Sequence, residues 1–367
     1  MKKIVIDARM IKSSGIGTYL QYMIPNLREK FSLILLGNKN EIYRFGWAKD
    51  LKVIDFNSPI YSLSEQFVLP FIVPACDIFL SPHYNIPVMP VKAKTRVVII
   101  HDVYHLAFYG RLTGPQKLYA KVMINLAAKM SDRIITVSNF SKSEILKYIN
   151  VHESKINVVY CGINRDEFTD ALNDNYSSIK EKYNLPESFF LFVSNIKPHK
   201  NLYNLLLAFK EVLAKHAKYK LVVVGEYKKL ITADKDVFKL LDKEEVLRKN
   251  TVFTGYVLKD DLPGLYRSAS ALIFPSFYEG FGLPPIEAMI CGCPVIASNA
   301  ASIPEACGDA ALYFNPGSVN DITEKLNLFI SNPALKGELV NKGMNNIKRF
   351  SRDIFSENIK NVLNSTD

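Results

Sequence analysis

Two glutamates lie eight positions apart in the segment FPSFYEGFGLPPIEAM, which spans residues 274–289. Between Glu279 and Glu287 the chain passes through a Gly-Phe-Gly turn into two prolines. Proline is favoured in the first turn of a helix because its missing N–H would be unpaired there, so the spacing predicts a helix that begins near residues 283–285. The backbone amides of the turn would then lie at the positive end of the helix dipole, which is a favourable place for a phosphate.

The two carboxylates flank this predicted phosphate site and are placed to accept hydrogen bonds from hydroxyl groups. A nucleotide sugar is a pyrophosphate with a ribose at one end and a hexose at the other, so the segment suits a sugar-donor site. Strand patterns at 271–274 and 294–298 predict a βαβ unit whose turn lies at the carboxyl end of a strand, where open α/β sheets bind ligands. A helix start with a capping acid is the alternative interpretation.

Three further segments of the second half follow predicted strands. Lys200 lies in SNIKPHKN beside a predicted helix start, where an ammonium group would meet a pyrophosphate. Gly225-Glu226-Tyr227 follows the next predicted strand and could border a nucleobase, as could Thr254-Gly255-Tyr256 after the strand that comes next. Carboxyl ends of parallel strands share one edge of a sheet, so we expect these loops and the two glutamates at one edge.

Two loops of the first half contain further candidates. The strand pattern at 96–100 ends in His101 and Asp102, and either side chain could contact a sugar. The alternative is a buried histidine that hydrogen-bonds to a neighbour. Gly15 and Gly17 follow the first predicted strand, and their small size would let backbone amides approach a phosphate or a sugar closely.

The glycine segment does not match the known phosphate-binding fingerprints. Leu20 stands where a dinucleotide-binding fingerprint requires its third glycine, and the pattern GxxxxGK[ST] does not occur in the chain. We expect the segment to precede an amphipathic helix over Tyr19 to Leu27. Neither a dinucleotide site nor a P-loop is therefore predicted.

These loops need a scaffold, and short β-rich runs alternate with helical patterns along the chain. Such alternation predicts parallel sheets covered by helices on both faces. The predicted strands are 3–8, 32–36, 53–55, 77–80, 96–100, 133–137 and 157–159 in the first half, and 189–193, 220–224, 251–253, 271–274, 294–297 and 311–314 in the second. We expect an α/β chain of two doubly wound, Rossmann-like domains in series.

A length of 367 residues suits two domains. We place the first domain at 1–165, a polar linker at 166–182 and the second domain at 183–349. The last helix, within 350–367, is expected to pack back toward the first domain. Its apolar residues at helical spacing are Phe355, Ile359, Val362 and Leu363.

The composition narrows the classes of partner. A formal charge of +10 fits nucleic acid, a membrane surface or an anionic substrate, but the basic residues are dispersed and no nucleic-acid recognition motif occurs, so we expect no nucleic-acid partner.

Five cysteines without zinc-like spacing or a secretory leader suggest reduced thiols in a cytoplasmic protein and no metal site. No run approaches the roughly 20 apolar residues of a spanning helix. Any membrane contact is expected to be peripheral.

Taken together, these motifs resemble the retaining glycosyltransferases of family 4, which have the GT-B fold of two Rossmann-like domains facing across a cleft. The resemblance covers nearly the whole chain. It rests on the glycine segment at 15–17, His101-Asp102, VSNFSKSEI at 137–145, PHKN at 198–201, TGYV at 254–257, and the segment with Glu279 and Glu287 continuing through CGCPVIAS. It implies that the second domain binds a nucleotide-sugar donor and the first receives the acceptor.

The resemblance also implies residue roles. Glu287 should hold the ribose hydroxyls and Glu279 those of the transferred sugar, while Lys200 and the amides of the 281–283 turn neutralise the diphosphate. His101 should lie beside the transferred sugar. The implied catalytic residues are His101, Asp102 and Glu279, and the implied donor-binding residues are Gly15, Gly17, Asn195, Lys200, Gly225, Thr254, Gly255, Tyr256, Glu279, Gly280, Phe281, Gly282, Leu283 and Glu287.

One departure from the family pattern concerns the diphosphate. Many relatives carry an arginine directly before the lysine or a few residues earlier, whereas this chain has Ser194, Asn195 and His199 at those places. Lys200 is therefore expected to hold the diphosphate with less help than usual.

For the reaction, the resemblance implies that the acceptor attacks on the face from which the diphosphate leaves, with a phosphate oxygen as the base and neither cofactor nor metal required. Mannose from GDP-mannose is the first choice of donor, and UDP- and dTDP-sugars remain open. The acceptor is expected to be a glycan or a lipid-linked acceptor in the biosynthesis of a cell-surface polysaccharide. A sugar-phosphate synthase or an epimerase of the same fold is an alternative, as is a non-catalytic nucleotide-sugar-binding scaffold.

The segment 112–130 could touch the inner face of an anionic membrane. Leu118, Val122, Leu126 and Met130 form one stripe at helical spacing, with Lys117, Lys121 and Lys129 beside it. Such a basic amphipathic helix can lie in a membrane interface, where anionic headgroups attract its lysines. A helix packed on the first sheet is the alternative, and the apolar segment 63–74 is open to the same two interpretations.

Overall fold

The computed structural model describes residues 1–108, 114–165, 168, 176–225 and 234–365. The chain divides into two compact units. Unit 1 comprises Met1–Ile163 and Phe350–Asp367, and unit 2 comprises Asn164–Arg349. Each unit contains a parallel β-sheet.

The sheet of unit 1 has the strand order β3-β2-β1-β4-β5-β6-β7. Its strands are β1 (Lys3–Asp7), β2 (Ser32–Gly37), β3 (Lys52–Asp55), β4 (Cys76–Ser81), β5 (Ala93–Ile99), β6 (Arg133–Thr136) and β7 (Ile156–Val158). The chain starts in the middle of the sheet, adds two strands on one side and then continues on the other. This reversal between β1 and β4 is a topological switch point, where open α/β sheets leave a crevice at the carboxyl ends of their strands.

Helices connect these strands. They are α1 (Ser14–Arg28), α2 (Lys39–Ile42), α3 (Leu63–Ile72), α4 (Tyr104–Ala107), α5 (Gly114–Met130) and α6 (Asn139–Tyr148). The middle of β1 is apolar because helices cover both faces of a parallel sheet, and Ile4, Val5 and Ile6 are fully buried.

Unit 2 repeats this plan with the strand order β10-β9-β8-β11-β12-β13. Its strands are β8 (Phe189–Val193), β9 (Lys220–Val224), β10 (Thr251–Gly255), β11 (Ala271–Phe274), β12 (Val295–Ser298) and β13 (Ala311–Phe314). Its helices are α7 (Tyr176–Lys182), α8 (Leu202–Lys215), α9 (Lys235–Lys243), α10 (Glu245–Asn250), α11 (Leu262–Ser268), α12 (Leu283–Ile290), α13 (Ile303–Cys307), α14 (Val319–Ser331) and α15 (Pro333–Asn346). The switch point of unit 2 lies between β8 and β11.

The chain returns to unit 1 with α16 (Arg352–Asn364), which packs against α1. The Phe355 ring lies edge-on to the rings of Tyr19 and Tyr22, at centroid distances of 5.9 Å and 5.1 Å. The Arg352 Nε donates to Asn26 Oδ1 over 2.6 Å. Phe355, Ile359, Val362 and Leu363 are all buried. These contacts place the last helix of the chain within unit 1.

The two-sheet α/β architecture predicted from the sequence is confirmed. All thirteen predicted strands are present, and their ends differ from the prediction by three residues at most. Part of the predicted linker is helical instead, because Ile179 of α7 packs against Gly264 of α11 and the Lys182 Nζ lies 2.7 Å from Asp261 Oδ2. Residues 166–167 and 169–175 of that linker lie outside the described residues.

The prediction that Gly15 and Gly17 lie in a loop is wrong. Helix α1 begins at Ser14 rather than at Tyr19, so both glycines are in its first turn. A Cβ atom on Gly17 would lie 2.6 Å from the Ile11 carbonyl oxygen. Glycine at this position therefore lets the start of the helix pack against the preceding turn.

The stripe predicted on the 112–130 segment divides between two environments. Leu118 and Val122 of α5 are exposed, whereas Leu126 and Met130 are partly buried and pack against the core. The core face of α5 is formed by residues one or two positions away, such as Met123 and Ala127. Residues 112 and 113 lie outside the described part of the chain.

Candidate active site

The loops that follow β8 and β11 meet at the switch point of unit 2. Lys200 comes from the first loop and Glu279 from the second, and the Lys200 Nζ lies 2.7 Å and 2.8 Å from the two carboxylate oxygens of Glu279. Both side chains are largely buried, with 19% and 13% of their surface exposed. A cation and a carboxylate are thus held together at the carboxyl edge of the sheet.

Two contacts hold these two loops in register, and a third joins the first loop to the segment after β13. The Phe277 amide donates to the His199 carbonyl over 2.8 Å. The buried Asn201 amide group donates to the carbonyls of Pro275 and Pro316, over 3.0 Å and 2.8 Å. Asn201 has a φ of 60°, so the chain turns sharply before α8 begins. Lys200 is therefore fixed from both sides.

The glutamate loop enters α12 as predicted. Gly282 has a φ of 111°, a conformation that residues with a side chain rarely adopt, and the helix begins at Leu283 with two prolines in its first turn. The buried Ser302 hydroxyl lies 2.9 Å from the carbonyl oxygens of Glu279 and Phe281 and can donate to either. The amides of residues 281–283 lie at the amino-terminal end of this helix.

Glu287 lies in the second turn of α12 and accepts a hydrogen bond from the Tyr266 hydroxyl over 2.7 Å. Tyr266 is fully buried in α11. Burial and the neighbouring Glu287 charge raise the pKa of Tyr266 well above its usual value, so the phenol stays protonated and donates. Tyr266 therefore orients one carboxylate oxygen of Glu287.

The ends of β8, β9 and β10 also adjoin. The Ser194 amide donates to the Val224 carbonyl over 3.0 Å, and the Gly225 amide donates to the Gly255 carbonyl over 3.1 Å. A Cβ atom on Gly225 would lie 2.1 Å from the Ser194 carbonyl oxygen, which explains why glycine is required there. Tyr256 projects beyond β10 and is highly exposed. Residues Glu226 and Tyr227 of the predicted base-binding loop lie outside the described residues.

The structure therefore brings together most of the predicted donor-binding residues of unit 2 at one edge of its sheet. Lys200 and Glu279 are in direct contact, and Glu287 follows on the same loop and helix. Gly225 lies beside the end of β8, and Gly255 lies beside Gly225. Tyr266 and Ser302 were missed from the sequence. Gly15, Gly17, His101 and Asp102 belong to unit 1, and the roles implied for all these residues remain predictions.

His101 follows β5 in unit 1. Its Nε2 lies 3.0 Å from the Pro82 carbonyl and donates to it, so Nδ1 of the neutral ring holds a lone pair. Burial lowers the pKa of His101 below its usual value, although the Asp102 charge and the Pro82 hydrogen bond oppose this shift. Asp102 Oδ1 accepts from the Tyr104 amide over 2.9 Å and thereby supports the start of α4.

A second histidine, His83, follows β4 at the switch point of unit 1. Its ring centroid lies 3.8 Å from that of Tyr84 and 5.7 Å from that of Tyr61. Its Nδ1 is buried without a hydrogen-bond partner among the described residues. His83 was not predicted as a site residue, although SPHY follows a predicted strand just as His101-Asp102 does.

The position of His83 predicts an acid-dependent loss of stability. Burial, with the charges of His101 and His105, lowers the pKa of His83 from 6.5 to about 3. At a pH between these two pKa values, His83 is protonated in the unfolded chain but not in the folded chain. The free energy of unfolding should therefore fall as the pH falls from 6.5 toward 3.

Urea unfolding of the wild type and His83→Gln between about pH 7 and pH 4.5 tests this prediction. The variant should show a shallower decrease, and His152→Gln, at an exposed histidine, serves as the control. Equal slopes in the wild type and His83→Gln would contradict the assignment.

Among the described residues, no three His, Cys, Asp or Glu side chains come together in a way that could hold a metal ion. Asp234 and Asp236 form an Asp-x-Asp sequence at the start of α9, where Asp234 caps the helix and Asp236 pairs with Lys239 over 2.9 Å.

All five cysteines are buried free thiols. None of the helices formed by described residues has the length and apolar character that a transmembrane helix needs.

Two protein-family models match the chain. The model for glycosyltransferase family 4 matches residues 14–167, and the model for group 1 glycosyl transferases matches residues 175–348. The serotype-specific mannosyltransferase WbdA of Escherichia coli is 31% identical over 270 residues, which are 73% of this chain and 33% of that protein. The chain therefore spans about a third of the length of WbdA.

Two other similar proteins match this chain over a larger share of their own length than WbdA does. The O-antigen chain mannosyltransferase B of Escherichia coli is 29% identical over 72% of this chain and 68% of its own length. The crystal structure of Anabaena Alr3699/HepE in complex with UDP and glucose superposes over 100% of both chains, with a TM-score of 0.78 and 18% identity, and this likeness concerns the fold. Both units of the chain thus match known glycosyltransferases, and the chain belongs to glycosyltransferase family 4, with the two Rossmann-like units of the GT-B fold.

Proposed function

We propose that the chain transfers a hexosyl group from a nucleotide sugar to a glycan or lipid-linked acceptor, with retention of anomeric configuration and without a metal ion. The observation that supports this most directly is the Lys200–Glu279 pair beside the start of α12, followed by Glu287 with its Tyr266 partner. These groups offer a cation for a diphosphate and two carboxylates for hydroxyls within one loop and helix.

The chemistry of the leaving group explains this arrangement. Negative charge grows on the diphosphate as the glycosidic bond breaks, and preorganised donors stabilise that charge because they need not reorient during the reaction. Lys200 and the amides of residues 281–283 would supply those donors. Glu279 would accept a hydroxyl hydrogen bond from the transferred sugar, and Glu287 would accept from the ribose.

A retaining reaction also needs a base for the acceptor hydroxyl. We propose that a phosphate oxygen of the leaving diphosphate takes this proton while the acceptor attacks from the same face. Neutral His101, whose Nε2–H is used by the Pro82 carbonyl, would accept a hydroxyl hydrogen bond at Nδ1. The role of His101 would be to orient the sugar, because the neutral ring carries no positive charge.

Mannose from GDP-mannose is the proposed donor, and UDP- and dTDP-sugars are the alternatives. The support is that the relatives WbdA and mannosyltransferase B are both named as mannosyltransferases. The name of the second also refers to the O-antigen, which favours a role in surface polysaccharide synthesis. A net charge of +10 is consistent with a cytoplasmic enzyme that works at the anionic inner face of a membrane.

A thermal-shift screen against GDP, UDP, dTDP and ADP tests the donor assignment. A nucleotide at 100 times its Kd stabilises the folded chain by about 2.7 kcal/mol, so the preferred base should give the largest rise in Tm, and we expect GDP to do so. Donor turnover by the wild type and by Glu279→Ala, with and without EDTA, then tests catalysis. Binding without turnover in the wild type would favour the scaffold alternative, and loss of turnover in EDTA would overturn metal independence.

A further inference from the structure

We propose that one surface of unit 1 docks on an anionic phospholipid bilayer. This apolar face combines exposed side chains of α3, of the segment after β4 and of α5. Its members are Phe67, Val68, Phe71, Val88, Met89, Leu118 and Val122. The proposal extends the proposed function, because it specifies how the chain would reach a lipid-linked acceptor.

The exposure of these side chains is unusual for their size. Phe67 and Phe71 of α3 have 64% and 76% of their surface exposed, and Leu118 of α5 has 64%. Phe67 and Phe71 are four positions apart on one helix face, as are Leu118 and Val122 on the other helix. Contiguous exposed apolar patches mark interaction sites more often than single exposed residues do.

Contacts beneath the surface join the three segments. The Val88 amide donates to Gln66 Oε1 of α3 over 2.8 Å. The Tyr119 hydroxyl of α5 donates to Asn85, and the Asn85 amide group in turn donates to Glu65 of α3. These bonds hold the three segments that carry the apolar face together within unit 1.

The inner side of α3 is firmly attached to unit 1. Glu65 is fully buried and accepts from Arg9 Nη1 over 2.7 Å, while Arg9 also binds the Asp7 carboxylate at the end of β1. Leu69 is fully buried in the core between the two exposed phenylalanines. The phenylalanines are therefore exposed on an anchored helix, which excludes a frayed helix as the reason for their exposure.

The charges of this surface favour an anionic partner. Segments 62–74, 84–94 and 114–130 contain five lysines and one carboxylate, Glu65, which is buried in its pair with Arg9. The five lysines are Lys92, Lys94, Lys117, Lys121 and Lys129, and Lys94 forms an ion pair with Asp77. Apolar side chains that enter the headgroup region, with lysines at the lipid phosphates, form the pattern of interfacial membrane binding.

Co-sedimentation of the full chain with vesicles tests the proposal. The wild type should bind vesicles of phosphatidylcholine with phosphatidylglycerol and bind much less to phosphatidylcholine alone. Phe67→Ser/Phe71→Ser should weaken binding to the anionic vesicles by about tenfold or more. Lys117→Gln and Lys121→Gln should each weaken it about fivefold at low salt.

The matched control is Val246→Ser/Leu328→Ser, which removes two exposed apolar side chains of unit 2 and should leave vesicle binding unchanged. Every variant should retain the nucleotide-dependent rise in Tm, so loss of lipid binding is distinguishable from failure of the donor site. Wild-type chain that responds to nucleotide but binds both vesicles equally, or neither, would overturn the proposal. So would a wild-type dimer that Phe67→Ser/Phe71→Ser converts to monomer without changing lipid binding, since the face would then hold a second copy.

Discussion

Replacing Lys200 by methionine is expected to lower kcat/KM for sugar transfer by about 100-fold to 1,000-fold, which corresponds to about 2.7 to 4 kcal/mol for one preorganised donor to a developing charge. Lys200 is the cation that the loop after β8 places at the switch point, and three contacts fix that loop. Because this chain lacks an arginine directly before Lys200, the loss should not be compensated locally. Steady-state kinetics with saturating acceptor measure the effect.

The ion pair complicates this experiment, since Lys200→Met leaves the largely buried Glu279 carboxylate without its partner. Removing one member of a buried pair destabilises a protein, so unfolding should be measured in parallel. The double variant Lys200→Met/Glu279→Gln removes both charges and should recover stability without recovering activity. If the double variant recovers activity as well, Lys200 acts only on Glu279.

Lys210→Met provides the matched control. Lys210 pairs with Glu244 over 2.8 Å within the same unit, but Lys210 lies on α8 and not in the loop after β8 that contains Lys200. This variant removes a lysine–glutamate pair of similar geometry and should keep wild-type kcat/KM. A decrease similar to that of Lys200→Met would indicate a general effect of charge on unit 2.

The strands could be predicted from the sequence because parallel strands covered on both faces are continuous apolar runs. Phe189–Val193, FFLFV, and Lys220–Val224, KLVVV, are examples in which the observed and predicted bounds agree. The same apolar runs predicted which residues follow each strand. They did not predict which of these residues contact each other, because local periodicity does not determine the strand order and Lys200 and Glu279 are 79 positions apart.

The residues that support the site could not be predicted from sequence patterns, for a related reason. Tyr266 and Ser302 are buried and stand in segments whose residues are typical of a helix and of a loop. Only tertiary packing brings Tyr266 to Glu287 and Ser302 to the carbonyls of the glutamate loop.

The start of α1 was predicted too late because glycine disfavours helix. Glycine costs about 1 kcal/mol relative to alanine inside a helix, so two glycines at its start indicated a loop. The structure shows a different use for Gly17, which allows close packing against the Ile11 carbonyl. Tertiary contact thus outweighed local propensity at this position.

Glu287 is expected to determine how strongly the chain binds the ribose of its nucleotide. A hydrogen bond to a charged group contributes about 1.5 to 3 kcal/mol, so the preferred nucleoside diphosphate should bind the wild type about 10 to 150 times more tightly than its 2′,3′-dideoxy analogue. Glu287→Gln should lose most of this preference while its affinity for the dideoxy analogue changes little. Calorimetric titration of both nucleotides into both proteins measures the four affinities.

Tyr266→Phe distinguishes orientation of Glu287 from a purely structural role. The phenol holds one Glu287 oxygen at 2.7 Å, and without it the carboxylate keeps its charge but loses its fixed direction. The preference for ribose over the dideoxy analogue should therefore fall by less than in Glu287→Gln, with unchanged affinity for the analogue. Glu324→Gln, at an exposed position of α14, should leave all affinities unchanged. If Glu287→Gln and Tyr266→Phe weaken both nucleotides equally, the hydroxyl-binding role is wrong and the pair supports only the packing of α11 on α12.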